Sequence, residues 1–291
     1  MNAFEYRAPR TLEEALAIVS EYGEDAKVIA GGTALVTMMR QHLVRPTCLV
    51  SLRDVAGLDR IESANGSVRI GALVTHRAAE TSAVLTGRVP VLADTFRRVA
   101  SVRIRNMATV GGALAHADPN QDPPVTFIAL GATVETRGAG GRREIPIGEF
   151  FRDYYETALG PGEVVTGVTV PVLPARSGAS FLKFLPRTAD DYATVAVAAI
   201  VTLEADGERC REARIGLGSV SVTPIRARAA EAVLTGEQLG DELLRAAGDA
   251  AKTKVDPLSD HRGSAAYKRE MAAVMVARAL ARAWEAARSA R

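Results

Sequence analysis

The sequence predicts an α+β protein: an α/β N-terminal region followed by a small antiparallel sheet backed by helices. Three observations carry this expectation. Strand–helix–strand alternation fills roughly the first fifty residues. Three β-rich runs follow a stretch at 174–178 (Pro-Ala-Arg-Ser-Gly) that reads as a linker. The chain then ends in helical runs, the last with an apolar stripe at Ala273, Val276, Ala277, Leu280 and Trp284. At 291 residues there is length for two or three domains and a large core.

Taken in order, Thr11-Leu12-Glu13-Glu14 reads as a capping box opening a helix, with Leu12, Ala15, Leu16 and Val19 on one stripe. Residues 26–30 read as a short buried strand, 33–42 as a helix and 47–52 as a second strand. Residues 67–71 alternate like a half-buried strand, and 75–83 and 91–100 look helical. A short apolar helix at 124–130 and a strand at 132–136 follow, then a hairpin-like turn at 138–142 and a strand at 163–170. Beyond the linker the β-rich runs are 180–185, 192–204 and 211–220, the last two separated by the turn Ala205-Asp206-Gly207-Glu208. Helices are expected at 226–234, 240–253 and 264–289.

Two glycine-containing segments about eighty residues apart stand out: Ala30-Gly31-Gly32-Thr33-Ala34-Leu35 and Thr109-Val110-Gly111-Gly112-Ala113. Each lies where an apolar run meets a turn or helix start. Glycine lets a backbone approach a ligand closely, successive free N–H groups make an anion-binding concavity, and a helix start adds its dipole. Two such loops converging on one ligand suit a diphosphate. An ordinary tight turn is the alternative for either loop alone.

Composition narrows the function classes. Apolar residues make up 47% of the chain and charged residues 24%, as in ordinary globular proteins. A net charge of +2 with scattered arginines gives no reason to expect nucleic acid or an anionic membrane as partner. No apolar run is long enough to span a bilayer, and Met1–Tyr6 lacks a leader pattern. Cys48 and Cys210 are too few to hold an iron–sulfur cluster or a structural zinc alone, which fits buried thiols in a reducing cytoplasm and no metal on this chain.

The order Ala30-Gly31-Gly32-Thr33, then Val102-Arg103-Ile104-Arg105-Asn106 leading to Thr109–Ala113, then His116-Ala117-Asp118-Pro119 and Asp122-Pro123, resembles the FAD-binding medium subunit of the molybdenum hydroxylases, the xanthine dehydrogenase and carbon monoxide dehydrogenase family. Phe181–Phe184 with Arg187, Asp191 and Tyr192, Pro224 and Arg226 before Glu231, and Tyr267-Lys268-Arg269 extend the resemblance over essentially the whole chain. It implies a two-subdomain FAD-binding fold of the vanillyl-alcohol-oxidase (PCMH) type over 1–175, divided at about 57, and a C-terminal α+β domain of the CO dehydrogenase flavoprotein type over 176–291. It further implies non-covalent FAD, a large partner subunit with molybdopterin and a small one with [2Fe–2S] clusters, in a dimer of heterotrimers. Electrons would enter from the clusters and leave to NAD, oxygen, a quinone or a cytochrome. This chain would then contain no catalytic residue for substrate oxidation.

Carried across by resemblance, Val28, Ile29, Ala30, Gly31, Gly32, Thr33, Ala34 and Leu35 would wrap the pyrophosphate with Thr109, Val110, Gly111, Gly112 and Ala113. Backbone amides would do most of the binding. Asp122 would accept from a sugar hydroxyl of the adenosine half. Leu159 would lie by the ring system, Lys183 near the flavin as a positive charge, and Tyr192 against a ring face. Many relatives have Gly at Ala108 and Asn at Ala113. From the residues alone, Asp118 and Asp122 could pair for acid–base work, with a turn-forming Asp118 as the plainer reading. His116 could be a base, but no partner nucleophile is near it in sequence. Lys183 and Tyr192 could equally be a solvated strand residue and a core tyrosine. The other functions open to this chain are a stand-alone FAD-dependent oxidase or dehydrogenase and a non-redox assembly or scaffold protein.

Overall fold

The computed structural model describes residues 3–290; Met1 and Asn2, which begin the stretch read above for a leader, lie outside it with Arg291. Strands β1 (Glu5–Arg7), β2 (Ala26–Ile29) and β3 (Cys48–Ser51) form a parallel sheet with β3 in the middle. The helix Leu12–Tyr22 covers it, and the expected capping box is present. Thr11 Oγ1 accepts from Glu14 N at 3.1 Å, and Glu14 Oε2 accepts from Thr11 N at 3.4 Å. Ala15 and Val19 on its inner face join Cys48, Val50 and Leu52 in a small core.

The second sheet contains β4 (Ile61–Ala64), β5 (Ser67–Gly71), β6 (Thr133–Gly138) and β7 (Gly141–Pro146). After a hairpin of β8 (Phe151–Asp153) and β9 (Glu156–Thr157) it is completed by β10 (Val164–Pro171), giving the antiparallel order β4-β5-β10-β6-β7. The expected helical run at 75–83 is two helices, His76–Thr81 and Ala83–Arg88, because Ser82 takes an extended conformation and caps the second, accepting from Leu85 N at 3.3 Å. The helices Pro90–Arg97, Val102–Arg105, Val110–His116 and Asp122–Leu130 lead back to β6.

The third sheet is antiparallel: β11 (Ser177–Phe184), β12 (Val195–Leu203), β13 (Cys210–Gly218) and β14 (Ile225–Arg226), in that order. Every residue of β12 is buried because the strand is covered on both faces. Val195, Val197, Ala199, Val201 and Leu203 join the core made with the helices Arg228–Leu234, Asp241–Ala251 and Ala265–Ser289. Ala196, Ala198 and Ile200 join the core of the second sheet. The helix Asp122–Leu130 thus lies between the second and third sheets. It comes so close that a Cβ on Gly216 of β13 would overlap the carbonyl oxygen of Val125. Gly216→Ala is expected to cost about 1–3 kcal/mol by overpacking at this contact, read as a lower thermal midpoint than wild type.

Candidate functional site

β2 ends at Ile29, and the chain crosses Ala30–Ala34 before the helix Leu35–Arg40 begins. The helix starts later than its sequence suggests, because Gly32 sits at φ 71°, in the left-handed region. Its first bond runs from Val36 N to Gly32 O at 3.0 Å. The amides of Gly31, Gly32, Thr33, Ala34 and Leu35 therefore donate to no acceptor among the described residues. Val28, Ile29 and Ala30, which lead into this turn, are half-buried. Such a row of free donors is an anion-binding concavity.

The two glycine segments meet. A Cβ on Gly31 would overlap the carbonyl oxygen of Met107, two residues ahead of Thr109. The second segment, however, is built differently from the expectation. Thr109 caps the helix Val110–His116, its Oγ1 accepting from Gly112 N at 3.1 Å. Val110 N and Gly111 N donate to the carbonyls of Val74 and Ala72 at 2.9 and 2.8 Å, and Ala113 N to Thr109 O at 2.9 Å. The backbone donors of Val110, Gly111, Gly112 and Ala113 are thus already used, which corrects the picture of two amide-lined loops. What this segment keeps is the amide of Thr109, which donates to no acceptor among the described residues, and the hydroxyl hydrogen of Thr109. Gly111 serves packing, since a Cβ there would crowd Ala72, whereas Gly112 is exposed. Thr109→Val should therefore cost about 1 kcal/mol of stability through the lost cap and weaken FAD binding, while Thr109→Ser retains both; denaturant midpoints and FAD titration of the apoprotein check this.

Asp122 opens the helix Asp122–Leu130 and is 3% exposed. Lys183, from β11, meets its Oδ2 at 2.8 Å and donates to Arg98 O at 3.0 Å. Oδ1 of Asp122 is buried with no hydrogen-bond partner among the described residues. Burial pushes the Asp122 carboxyl up to about 6, against the opposing pull of Lys183. The resemblance assigns Asp122 to the adenosine half and Lys183 to the flavin, opposite ends of a dinucleotide. Their direct contact at 2.8 Å is an arrangement that assigning the two residues separately did not anticipate. The carboxylate also cancels the charge that Lys183 was expected to present.

Tyr192 precedes β12 with half of its surface exposed. Burial about the hydroxyl and the carboxylate of Asp118 hold its phenol above the usual range. Asp118 is buried and shapes a turn, its Oδ1 accepting from Asn120 N at 2.9 Å. His116 lies beside Tyr155, ring centroids 5.1 Å apart. Leu159, between β9 and β10, packs half-buried against the core of the second sheet. His76 is buried against Phe96, and burial lowers its pKa to about 4, which keeps it neutral.

Sequence reasoning missed Arg105. Its guanidinium donates to Val99 O and Ala100 O at 2.8 and 2.7 Å and pairs with the buried Glu80 at 2.9 Å. With Lys183 on Arg98 O, three successive carbonyls are held by two cations. Arg105 stands in the Val102–Asn106 segment quoted above, but its partner Glu80 lies 25 residues upstream, beyond any local pattern.

With this geometry in view, the chain can be set beside known proteins. Residues 2–173 match the FAD binding domain in molybdopterin dehydrogenase, and residues 180–283 match the CO dehydrogenase flavoprotein C-terminal domain. The carbon monoxide dehydrogenase medium chain of Afipia carboxidovorans is 38% identical over 97% of each chain. The 6-hydroxypseudooxynicotine dehydrogenase complex subunit alpha of Paenarthrobacter nicotinovorans is 37% identical over 98% of this chain and 96% of that one. Among solved structures, quinoline 2-oxidoreductase from Pseudomonas putida 86 superposes with a TM-score of 0.93 at 33% identity, over 99% of both chains. Reconstituted CO dehydrogenase from Oligotropha carboxidovorans gives 0.94 at 37%, over 98% of this chain and 99% of that one. The chain belongs to the FAD-binding medium subunits of the molybdenum hydroxylases, the flavoprotein components of these oxidoreductases.

Proposed function

We propose that this chain is the electron exit of a heterotrimeric molybdenum hydroxylase. It takes electrons from the [2Fe–2S] clusters of a small partner subunit and passes them to an external acceptor, while substrate is oxidised on a large molybdopterin subunit. The observation that carries the reading is the row of free amides at Gly31–Leu35, locked against the Met107 carbonyl beside the Thr109 hydroxyl. That donor set fits the diphosphate of FAD, and the unpartnered Asp122 Oδ1 fits a hydroxyl or N–H of one of its halves. Bound FAD supplies the exchange between one-electron clusters and an acceptor. In this reading the chain's residues hold the diphosphate and bury one end of the cofactor at Asp122–Lys183, with Leu159 and Tyr192 against its ring. Residues 1–175 form the flavin domain in this reading and 176–291 its C-terminal companion.

Relatives that are themselves a medium chain and a subunit of a dehydrogenase complex support the partner assignment. A dimer of such trimers completes the proposed assembly, and the cytoplasm as its compartment is consistent with two buried free cysteines, Cys48 and Cys210. The test is the visible spectrum of the purified complex, before and after substrate addition. About one FAD per chain, bleached by substrate only when the iron–sulfur subunit is present, is expected. Bleaching of the isolated chain by an organic substrate would make it a stand-alone dehydrogenase. A folded chain that refuses FAD would make it a scaffold.

A further inference from the structure

Two observations at the Asp122–Lys183 pair bear on what happens there when a bound flavin is reduced. The pair is neutral as it stands, with side chains 4% and 3% exposed, so Lys183 offers no net charge to a neighbouring ring. Asp122 also keeps one buried oxygen, Oδ1, with no hydrogen-bond partner among the described residues. A buried carboxylate with an idle oxygen is an unstable arrangement unless something donates to it or it takes a proton.

We propose that Asp122 takes up a proton when the flavin is reduced, and that this unmasks the charge of Lys183 beside the reduced ring. The inference rests on the electron-exit reading above. Two electrons arriving with one proton leave the reduced ring anionic. A like charge close to Asp122 disfavours its carboxylate, so a second proton, from solvent, forms an O–H bond at Asp122. The Lys183 ammonium, until then matched by that carboxylate, then faces the anionic ring. On reoxidation the acceptor takes the two electrons, the ring's own proton leaves with them or goes to solvent, and Asp122 returns its proton to solvent. Electrons and charge balance at each stage.

The surroundings suit this role. The groups that face Asp122 are Lys183 on β11, Arg98 past the helix Pro90–Arg97, and Tyr192 ahead of β12. Arg214 on β13 bonds Leu130 O instead, at the far end of the Asp122 helix. Burial has already brought the carboxyl up to about 6, within reach of neutral pH, so a modest further push completes protonation.

The experiment is a redox titration of the flavin in the intact complex at several pH values above about 6. In wild type the reduction equilibrium is expected to shift about a hundredfold per pH unit, two protons for two electrons. In Asp122→Asn, where that position is neutral throughout, it is expected to shift tenfold, equal to 29.6 mV per unit for a two-electron couple. A tenfold shift in wild type overturns the proposal, as does an equal slope in the two proteins. Should the variant fail to fold or to hold FAD, infrared difference spectra of reduced minus oxidised wild type decide alone: a new protonated-carboxyl band is expected, and its absence overturns the proposal. A complex without FAD, or with a flavin its clusters cannot reduce, sinks the electron-exit reading and this inference together. A flavin that is bound, reduced and takes one proton sinks this inference only.

Discussion

Gly31→Ala is expected to yield a folded protein that has lost most of its FAD. The new Cβ would overlap the Met107 carbonyl oxygen, which is backbone and has no rotamer to escape into. The loop must move away, carrying the amides of Gly31–Leu35 with it. A hydrogen bond to a charged group contributes roughly 1.5–3 kcal/mol, so misaligning two of these donors weakens binding about a hundredfold or more. Gly112→Ala is the matched control. That glycine is exposed, its amide is already bonded to Thr109 Oγ1, and a Cβ would meet only that hydroxyl oxygen, at 2.8 Å. Its loss of affinity is expected to be about tenfold or less. The flavin-to-protein absorbance ratio and FAD titration of the apoproteins measure both. Full FAD occupancy in Gly31→Ala would remove the diphosphate from this loop.

The contrast between these glycines shows what was legible in the chain. Elements backed by long periodic patterns stand where expected: the capped helix after Thr11, the β12 run, and the final helix from Ala265 to Ser289. The α+β class followed from them. β1 was not legible, because Glu5-Tyr6-Arg7 has no pattern of its own and is a strand only through its parallel pairing with β3. The helix Val102–Arg105 is too short for any periodicity to register.

At the site, the two glycine pairs marked places where backbones approach closely, but the partner of each approach is a tertiary matter. Gly31 meets Met107 and Gly111 meets Ala72. Nothing in the sequence distinguishes a glycine cleared for a ligand from one cleared for a neighbouring strand. The Asp122–Lys183 contact was equally hidden, since it joins residues 61 positions apart, one at the start of a helix and one on β11. Assigning those residues one at a time sent them to opposite ends of the cofactor. Only the fold brings them together.

Lys183→Met is expected to have the largest effect on stability. It strips the only cation bonded to Asp122 among the described residues from a site where Asp122 is 3% exposed. Breaking a buried pair from one side costs roughly 3–5 kcal/mol, because a charge is left uncompensated. The loss depends on pH, with a definite sign. Asp122 already has a folded-state pKa of about 6, above its usual 3.8, and removal of the lysine raises it further. A carboxyl whose pKa is raised by folding loses stability as pH rises through the folded value. The gap to wild type from this group is therefore small at about pH 5, where both proteins carry Asp122 protonated, and opens between about pH 6 and 8. Denaturant midpoints at those pH values test it. A gap that narrows as pH rises would contradict the assignment of the loss to Asp122. Lys183→Met combined with Asp122→Asn leaves no charge to strand and should recover much of the loss. A double-mutant cycle over the four proteins should then give a coupling well above the 0.3–0.5 kcal/mol scatter of independent sites. Additive effects would mean that Lys183 stabilises the fold through Arg98 O alone, and that Asp122 and Lys183 do not act as a unit.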